Sequence, residues 1–277
     1  MRLIPIAGLA LAGLMLSTSA FACDTIVPSQ QISIHGPGKY CLSANRSLPI
    51  EISGPDIELD CRTRSIINPS PNGGGPTGIR INSGDKVIVR NCRVDGFPIG
   101  IDMNVQSNAQ LLNNTVVRAQ DVAIMVHGIN NNDPFAEPTR IVGNRVIGYP
   151  NPNDPSSSWA PALRVIGLGR AVISNNVVAG HRGPVGLELV DSPDVQITNN
   201  QFLDPAAVDR MIRLEQSPRA RVVHNTIMSR QQNVMFGLSG ASGATCVENV
   251  FINTIHSGFS ECAVTRYNVE QPLPPAP

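Results

Sequence analysis

Apolar and polar positions follow one phrase along this chain: apolar, any, apolar, any, polar, Asn, any, apolar. Its copies read VIVRNCRV (87–94), AQLLNNTV (109–116), TRIVGNRV (139–146), AVISNNVV (171–178), VQITNNQF (195–202), ARVVHNTI (220–227) and ATCVENVF (244–251). Successive starts lie 22, 30, 32, 24, 25 and 24 residues apart. A second phrase, small or flexible residue, large apolar, any, apolar, recurs as GIRI (78–81), GIDM (100–103), AIMV (123–126), ALRV (162–165), GLEL (186–189), MIRL (211–214) and MFGL (235–238). It ends six residues before the first phrase at every copy but one. Alternation with period two predicts strands. A period in the low twenties predicts a coiled parallel β-structure, each coil with two assigned strands. Val87, Val89, Leu111, Ile141, Ile173, Val195, Ile197 and Val222 are expected inside, each stacked on its equivalent one coil away. Asn114, Asn144, Asn176, Asn200, Asn225 and Asn249, with Cys92 in the first place, form a column of turn residues. Buried amides there would bond backbone and one another, which is a structural role.

The pattern resembles the right-handed parallel β-helix repeat proteins, the superfamily of pectate lyases, polygalacturonases, mannuronan epimerases and phage tailspikes. The resemblance covers about residues 45–262, and IELDCRTRSI (57–66) with VIVRNCRVDGF (87–97) looks like the opening coils of extracellular members. It implies an all-β, single-domain right-handed parallel β-helix of roughly seven to nine coils, capped at both ends. The expected organisation is a signal peptide (1–22), an N-terminal cap (23–50), the helix (51–262) and a Pro-rich tail (263–277).

Arg2, the apolar run Leu3 to Leu16 and Ala20-Phe21-Ala22 read as a secretory signal cleaved after Ala22, too short to span a bilayer. Six cysteines agree with an oxidising compartment, periplasmic or extracellular. Cys23 and Cys41 flank the first loop, Cys61 and Cys92 occupy nearly equivalent turns of neighbouring coils, and Cys246 and Cys262 would tie the last coil to its cap. Formal net charge is zero, with 21 basic and 21 acidic side chains. That argues against a nucleic-acid footprint. Oligomeric state is not readable, and no exposed apolar column large enough to demand trimerisation stands out.

Chemistry is expected where the period breaks. Two insertions do so: 127–138, HGINNNDPFAEP, and 147–161, IGYPNPNDPSSSWAP. They would wall one sheet whose outward residues run Arg80, Asp102, Met125, Arg164, Glu188, Arg213 and Gly237. Phe135, Tyr149, Trp159, His127 and Arg182 are the binding candidates, since flat rings beside charges suit sugars. Arg164, His181 and Glu188 are the catalytic candidates. An alternating-charge ladder is the plainer account of Arg164, Glu188 and Arg213.

The resemblance offers tests of activity. Polygalacturonase-like members carry Gly-His-Gly and Arg-Ile-Lys elements, which this chain lacks. Lyase-like members hold calcium in a compact acidic cluster, which is also lacking. Epimerase-like members carry Asp-Pro-His-Asp, against Asn132-Asp133-Pro134-Phe135 here. The favoured reading is a binding protein for a polysaccharide or surface partner, with no cofactor or metal. The alternative is a polysaccharide lyase or glycoside hydrolase in the same groove. A third class, periplasmic β-helix proteins that assist copper enzymes, ranks last because the methionines are scattered without Met/His clusters.

Overall fold

A computed structural model describes residues 23–71, 75–105, 107–128, 137–149, 161–181, 183, 185–204, 210–229, 235–236, 242–256 and 262–271. Each eight-residue phrase is two strands rather than one, bent at the Asn. In the first copy, Ile88–Arg90 lies in one sheet and Arg93–Asp95 in another. The second phrase forms a third sheet, so each regular coil has three strands. We term these sheet A (first half of the phrase), sheet C (second half) and sheet B (second phrase). All pairings are parallel. Among the described residues, sheets A, B and C hold eleven, eight and nine strands, with two more in a short separate pair. This is the expected right-handed parallel β-helix.

The bend explains the sequence of the phrase. The residue before the column Asn adopts left-handed φ: 55° at Asn91 and Asn113, 69° at Gly143, 57° at Asn175, 58° at His224. Asn and Gly reach this region at least cost. The next side chain turns inward and builds a ladder. Asn114 donates from its backbone N and its Nδ2 to Oδ1 of Asn144, both at 3.0 Å, and from Nδ2 to the carbonyl of Val89 at 2.9 Å. The same pattern passes through Asn176, Asn200, Asn225 and Asn249, and ends on Asn268. Cys92 opens it by donating its backbone N to Asn114. A smaller ladder stands at the corner between sheets B and A, where Leu168 N donates to Ser192 Oγ and Ser192 N to Ser217 Oγ.

The interior is filled by Ile, Leu and Val, and Leu111, Ile141, Ile173 and Val222 are buried as expected. The small residue that opens the second phrase sits where sheets B and C crowd together. A Cβ at Gly100 would lie 2.4 Å from Val116 Cγ1 and 2.6 Å from the carbonyl of Ala123.

The stretches at both ends of the rod carry strands that pair in register with the coils. Residues 23–50 contribute Thr25–Val27, Ser33–His35, Gly38–Leu42 and Ile50 of Ile50–Ser53, all paired in register. Past residue 262, Cys262–Arg266 and Val269–Gln271 continue sheets A and C. Sheets B and C, with eight and nine rungs, match the expected seven to nine coils, and sheet A runs to eleven rungs, about 48 Å at strand spacing. Near the first coil, buried Arg46 donates to the carbonyls of Leu48, Pro28, Gln31 and Pro49. One guanidinium thus gathers four carbonyls at the first rungs, of which that of Pro28 also accepts from Gln31 N.

A second correction concerns the outside. An outward column on sheet C runs Ile67, Asp95, Val117, Ile147, Ala179, Leu203, Met228 and Ile252. It is largely apolar and, outside Asp95, partly exposed, although the sequence suggested no such column. Its members fall in the second half of the phrase, which the sequence pattern did not resolve as a strand.

The three disulfides join Cys23–Cys41, Cys61–Cys92 and Cys246–Cys262. Cys61 and Cys92 have Cα atoms 4.7 Å apart, as stacking in adjacent coils requires. Replacing Cys61 and Cys92 together by serine should cost about 2–4 kcal/mol, because the bridge closes a long loop of the unfolded chain. Urea unfolding of the double variant against wild type measures this.

Candidate ligand face on sheet B

The strands of sheet B put one long side chain outward on each rung. In register these are Glu51, Arg80, Asp102, Met125, Arg164, Glu188 and Arg213. From Arg80 to Arg213 the column stands as the sequence suggested, preceded by Glu51; Gly237 lies outside the described residues. Glu188 is only 7% exposed and is held between Arg164 at 2.9 Å and Arg213 at 3.4 Å. Arg213 also meets Glu215 at 3.0 Å. On the next rungs Arg80 lies 3.7 Å from Asp102 and donates to Thr77 at 3.0 Å. The carboxylates of Asp102 and Glu188 sit low, while the side chains of Arg80, Arg164 and Arg213 stay 39–50% exposed. Guanidiniums therefore form the upper surface. Burial pushes the Asp102 carboxyl above its usual range, partly offset by His127 and Arg80. At one end a small open cavity lies between Pro49, Glu51, Thr77 and Arg80.

The structure separates the catalytic candidates. Arg164 and Glu188 share the face as an ion pair. His181 instead ends the sheet C strand Val177–His181, opposite Tyr149, and is 1% exposed. Burial lowers its pKa to about 4, with a backbone hydrogen bond at Val185 working the other way. The ring is neutral at physiological pH. Glu188 is likewise a ladder member, paired with two guanidiniums. Of the binding candidates, His127 lies on sheet B, partly exposed, opposite Asn104 and Ile166. Tyr149 closes a sheet C strand rather than lying in a loop. Phe135, Trp159 and Arg182 lie outside the described residues, as do most of the two insertions. No local pattern marks Asp102 as buried, since its burial depends on neighbouring rungs.

Coils stacked into three parallel sheets define a parallel β-helix protein. Comparison with protein families matches residues 50–204 to the family described as "Periplasmic copper-binding protein (NosD)". That is more than half of the chain, and the chain belongs to this periplasmic family. Three disulfides fit its oxidising compartment. No curated protein matches. A solved structure described as "The complex structure of XylC with xylose" is similar at 13% identity and a TM-score of 0.49, over 80% of this chain and 38% of that one. The chain thus spans well under half the length of that structure.

The family's description names copper, which favours thiolate, thioether and imidazole donors. Thiolates are excluded, because all six cysteines are in disulfides. Among the described residues, no three of His, Cys, Asp and Glu converge. What the face does hold is Met125 and His127 on one strand, beside a buried Asp102 Oδ1 with no hydrogen-bond partner. The described residues do not fit a thiolate or multi-histidine centre.

Proposed function

We propose that this chain is an exported periplasmic binding protein, cleaved after Ala22, whose sheet B face receives an extended acidic polysaccharide. The observation that carries the reading is the register column itself: half-exposed guanidiniums of Arg80, Arg164 and Arg213 above buried carboxylates. Arg164 and Arg213 stand two rungs apart, about 10 Å along the rod at strand spacing. Each guanidinium keeps donors for a carboxylate of a long ligand lying along the axis. Binding is favoured over turnover because Glu188 is clamped by two arginines and an arginine is a poor general base.

Calorimetric titration with oligogalacturonate and alginate fragments, against neutral xylan, tests this. Uronate ligands should bind and neutral ones should not, with affinity falling as salt rises. Arg164→Gln and Arg213→Gln should each weaken binding about tenfold or more, the size of one charge-assisted hydrogen bond. No uronate binding, or equal binding by both variants, overturns the proposal. Ultraviolet absorbance from unsaturated uronyl product would replace it with the lyase reading.

A further inference from the structure

We infer that the Cys23–Cys41 disulfide is a thiol–disulfide exchange site, open to a dithiol of the C-x-x-C kind, while the other two bridges are structural. The site lies at the first rung of sheet A and does not depend on the glycan reading. Position separates the three bridges. Cys61 and Cys92 are 0% and 2% exposed. Cys246 is 0% exposed, and its partner Cys262 is partly exposed. Cys41 is buried as well, but Cys23 is partly exposed and stands just before the first strand, Thr25–Val27. That strand is an edge: it pairs with Tyr40–Leu42 and, among the described residues, with nothing beyond. Exchange requires a thiolate to reach a sulfur, so exposed disulfides are the labile ones.

The next coil brings a cation to the exposed sulfur. Asp60 ends the strand Ile57–Asp60, one rung on from Cys41. Its Oδ1 accepts from the backbone N of Arg62 at 2.8 Å, and Arg62 takes a left-handed φ of 50°. From this turn the Arg62 side chain crosses back over the rung, and Nη2 donates to Sγ of Cys23 at 2.8 Å. Asp60 is itself engaged by Arg90 at 3.1 Å and by Asn91 at 3.0 Å. Among the described residues no carboxylate pairs with Arg62, and no guanidinium donates to a sulfur of the other two bridges. Sulfur is a weak acceptor, so the contact adds little to the disulfide form. A guanidinium beside a sulfur instead favours the thiolate that appears when the bridge opens.

The exchange balances in two steps. A thiolate of the dithiol attacks Sγ of Cys23, the bond to Cys41 breaks, and Cys41 leaves as a thiolate that takes a proton from water. The partner's second thiol, once deprotonated, attacks its own sulfur in the mixed disulfide. Cys23 then leaves as a thiolate beside Arg62. Two electrons pass from the dithiol to the two cysteines, and the dithiol becomes a disulfide. Arg62 acts at both ends of this sequence. It draws the anionic nucleophile to the exposed sulfur, and it stabilises the final leaving group, which speeds departure. After reduction, three register pairs and two hydrogen bonds between Asp24 and Lys39 hold the first strand to the rod. The redox state of this bridge therefore sets whether the first edge of sheet A is tied or free to open.

The test is graded reduction of the folded, full exported chain by dithiothreitol, quenched with N-ethylmaleimide, with each cysteine's labelling read by mass spectrometry. Cys23 and Cys41 should be labelled about tenfold faster or more than the other four cysteines, with the circular dichroism of the rod unchanged. Arg62→Gln should slow their reduction about fivefold, and Arg62→Lys should retain most of the wild-type rate. Arg64→Gln, two residues on and without contact to the sulfur, should change nothing. A thioredoxin-type probe that keeps only the first cysteine of its C-x-x-C pair should be trapped as a mixed disulfide on Cys23. Four results overturn the inference. All three bridges opening together would mean that reduction follows unfolding. The others are either remaining bridge opening first, the probe trapped on Cys41, and Arg62→Gln reduced as fast as wild type.

Discussion

Asn176→Ala should destabilise the protein by about 3–6 kcal/mol, a large share of the roughly 5–15 kcal/mol that holds a folded domain. Asn176 stands in the middle of the ladder. Its Oδ1 accepts from Asn144 N at 2.9 Å and Asn144 Nδ2 at 3.1 Å. Its Nδ2 donates to the carbonyl of Ile141 at 2.8 Å and to Asn200 Oδ1 at 3.0 Å. Alanine removes all four bonds and leaves the backbone N of Asn144 buried with no acceptor. Each such orphan costs about 1–3 kcal/mol, and no water can enter a stack only one rung thick. Asn268→Ala provides the contrast. It ends the ladder in a partly buried position, where water can replace the lost amide, and should cost about 1 kcal/mol. Urea unfolding followed by circular dichroism measures both. The ladder account fails if Asn176→Ala unfolds within 1 kcal/mol of wild type, or if the two positions cost the same.

The same ladder shows why the fold could be read from sequence. A coil that stacks on its own copy must repeat every constrained position, so the Asn, the left-handed residue before it and the inward aliphatics all recur. His224 fits this account: it stands at a left-handed position usually taken by Asn or Gly, and it pairs with Glu248 one rung on. The disulfide pairs were legible for the same reason, since equivalent turns in adjacent coils are neighbours. The third strand was not legible. It has only three residues, one of them inward, as in Thr115–Val117, and so gives no alternation to count. The candidate site was legible only as a column. Arg164, Glu188 and Arg213 follow from register, but Asp102 and Glu188 sink beneath the arginines through cross-rung packing, which no local pattern encodes. His181 illustrates the limit. Beside an insertion in sequence it looked accessible, yet the coil turns it inward at the end of a sheet C strand.

That burial carries the second large expectation: stability should rise with pH between about 4 and 6.5, and His181 should be a principal cause. The unfolded imidazole titrates near 6.5, whereas burial holds the folded ring's pKa at about 4. Between these values the unfolded chain binds the proton and the folded chain does not. Folding is therefore opposed increasingly as pH falls through that window, and is unaffected by this group above it. The full effect is about 3 kcal/mol by the lower end. Asp102 works in the opposite direction, because burial raises its carboxyl and favours the folded state when that carboxyl is protonated. The informative quantity is therefore the difference between wild type and His181→Leu, in which the contribution of Asp102 cancels. Measured by urea midpoints at half-unit steps from pH 7.5 to 4, that difference should move toward the variant by about 3 kcal/mol. Parallel profiles would mean that the ring protonates in the folded state near its ordinary pKa, and would restore His181 as an accessible base.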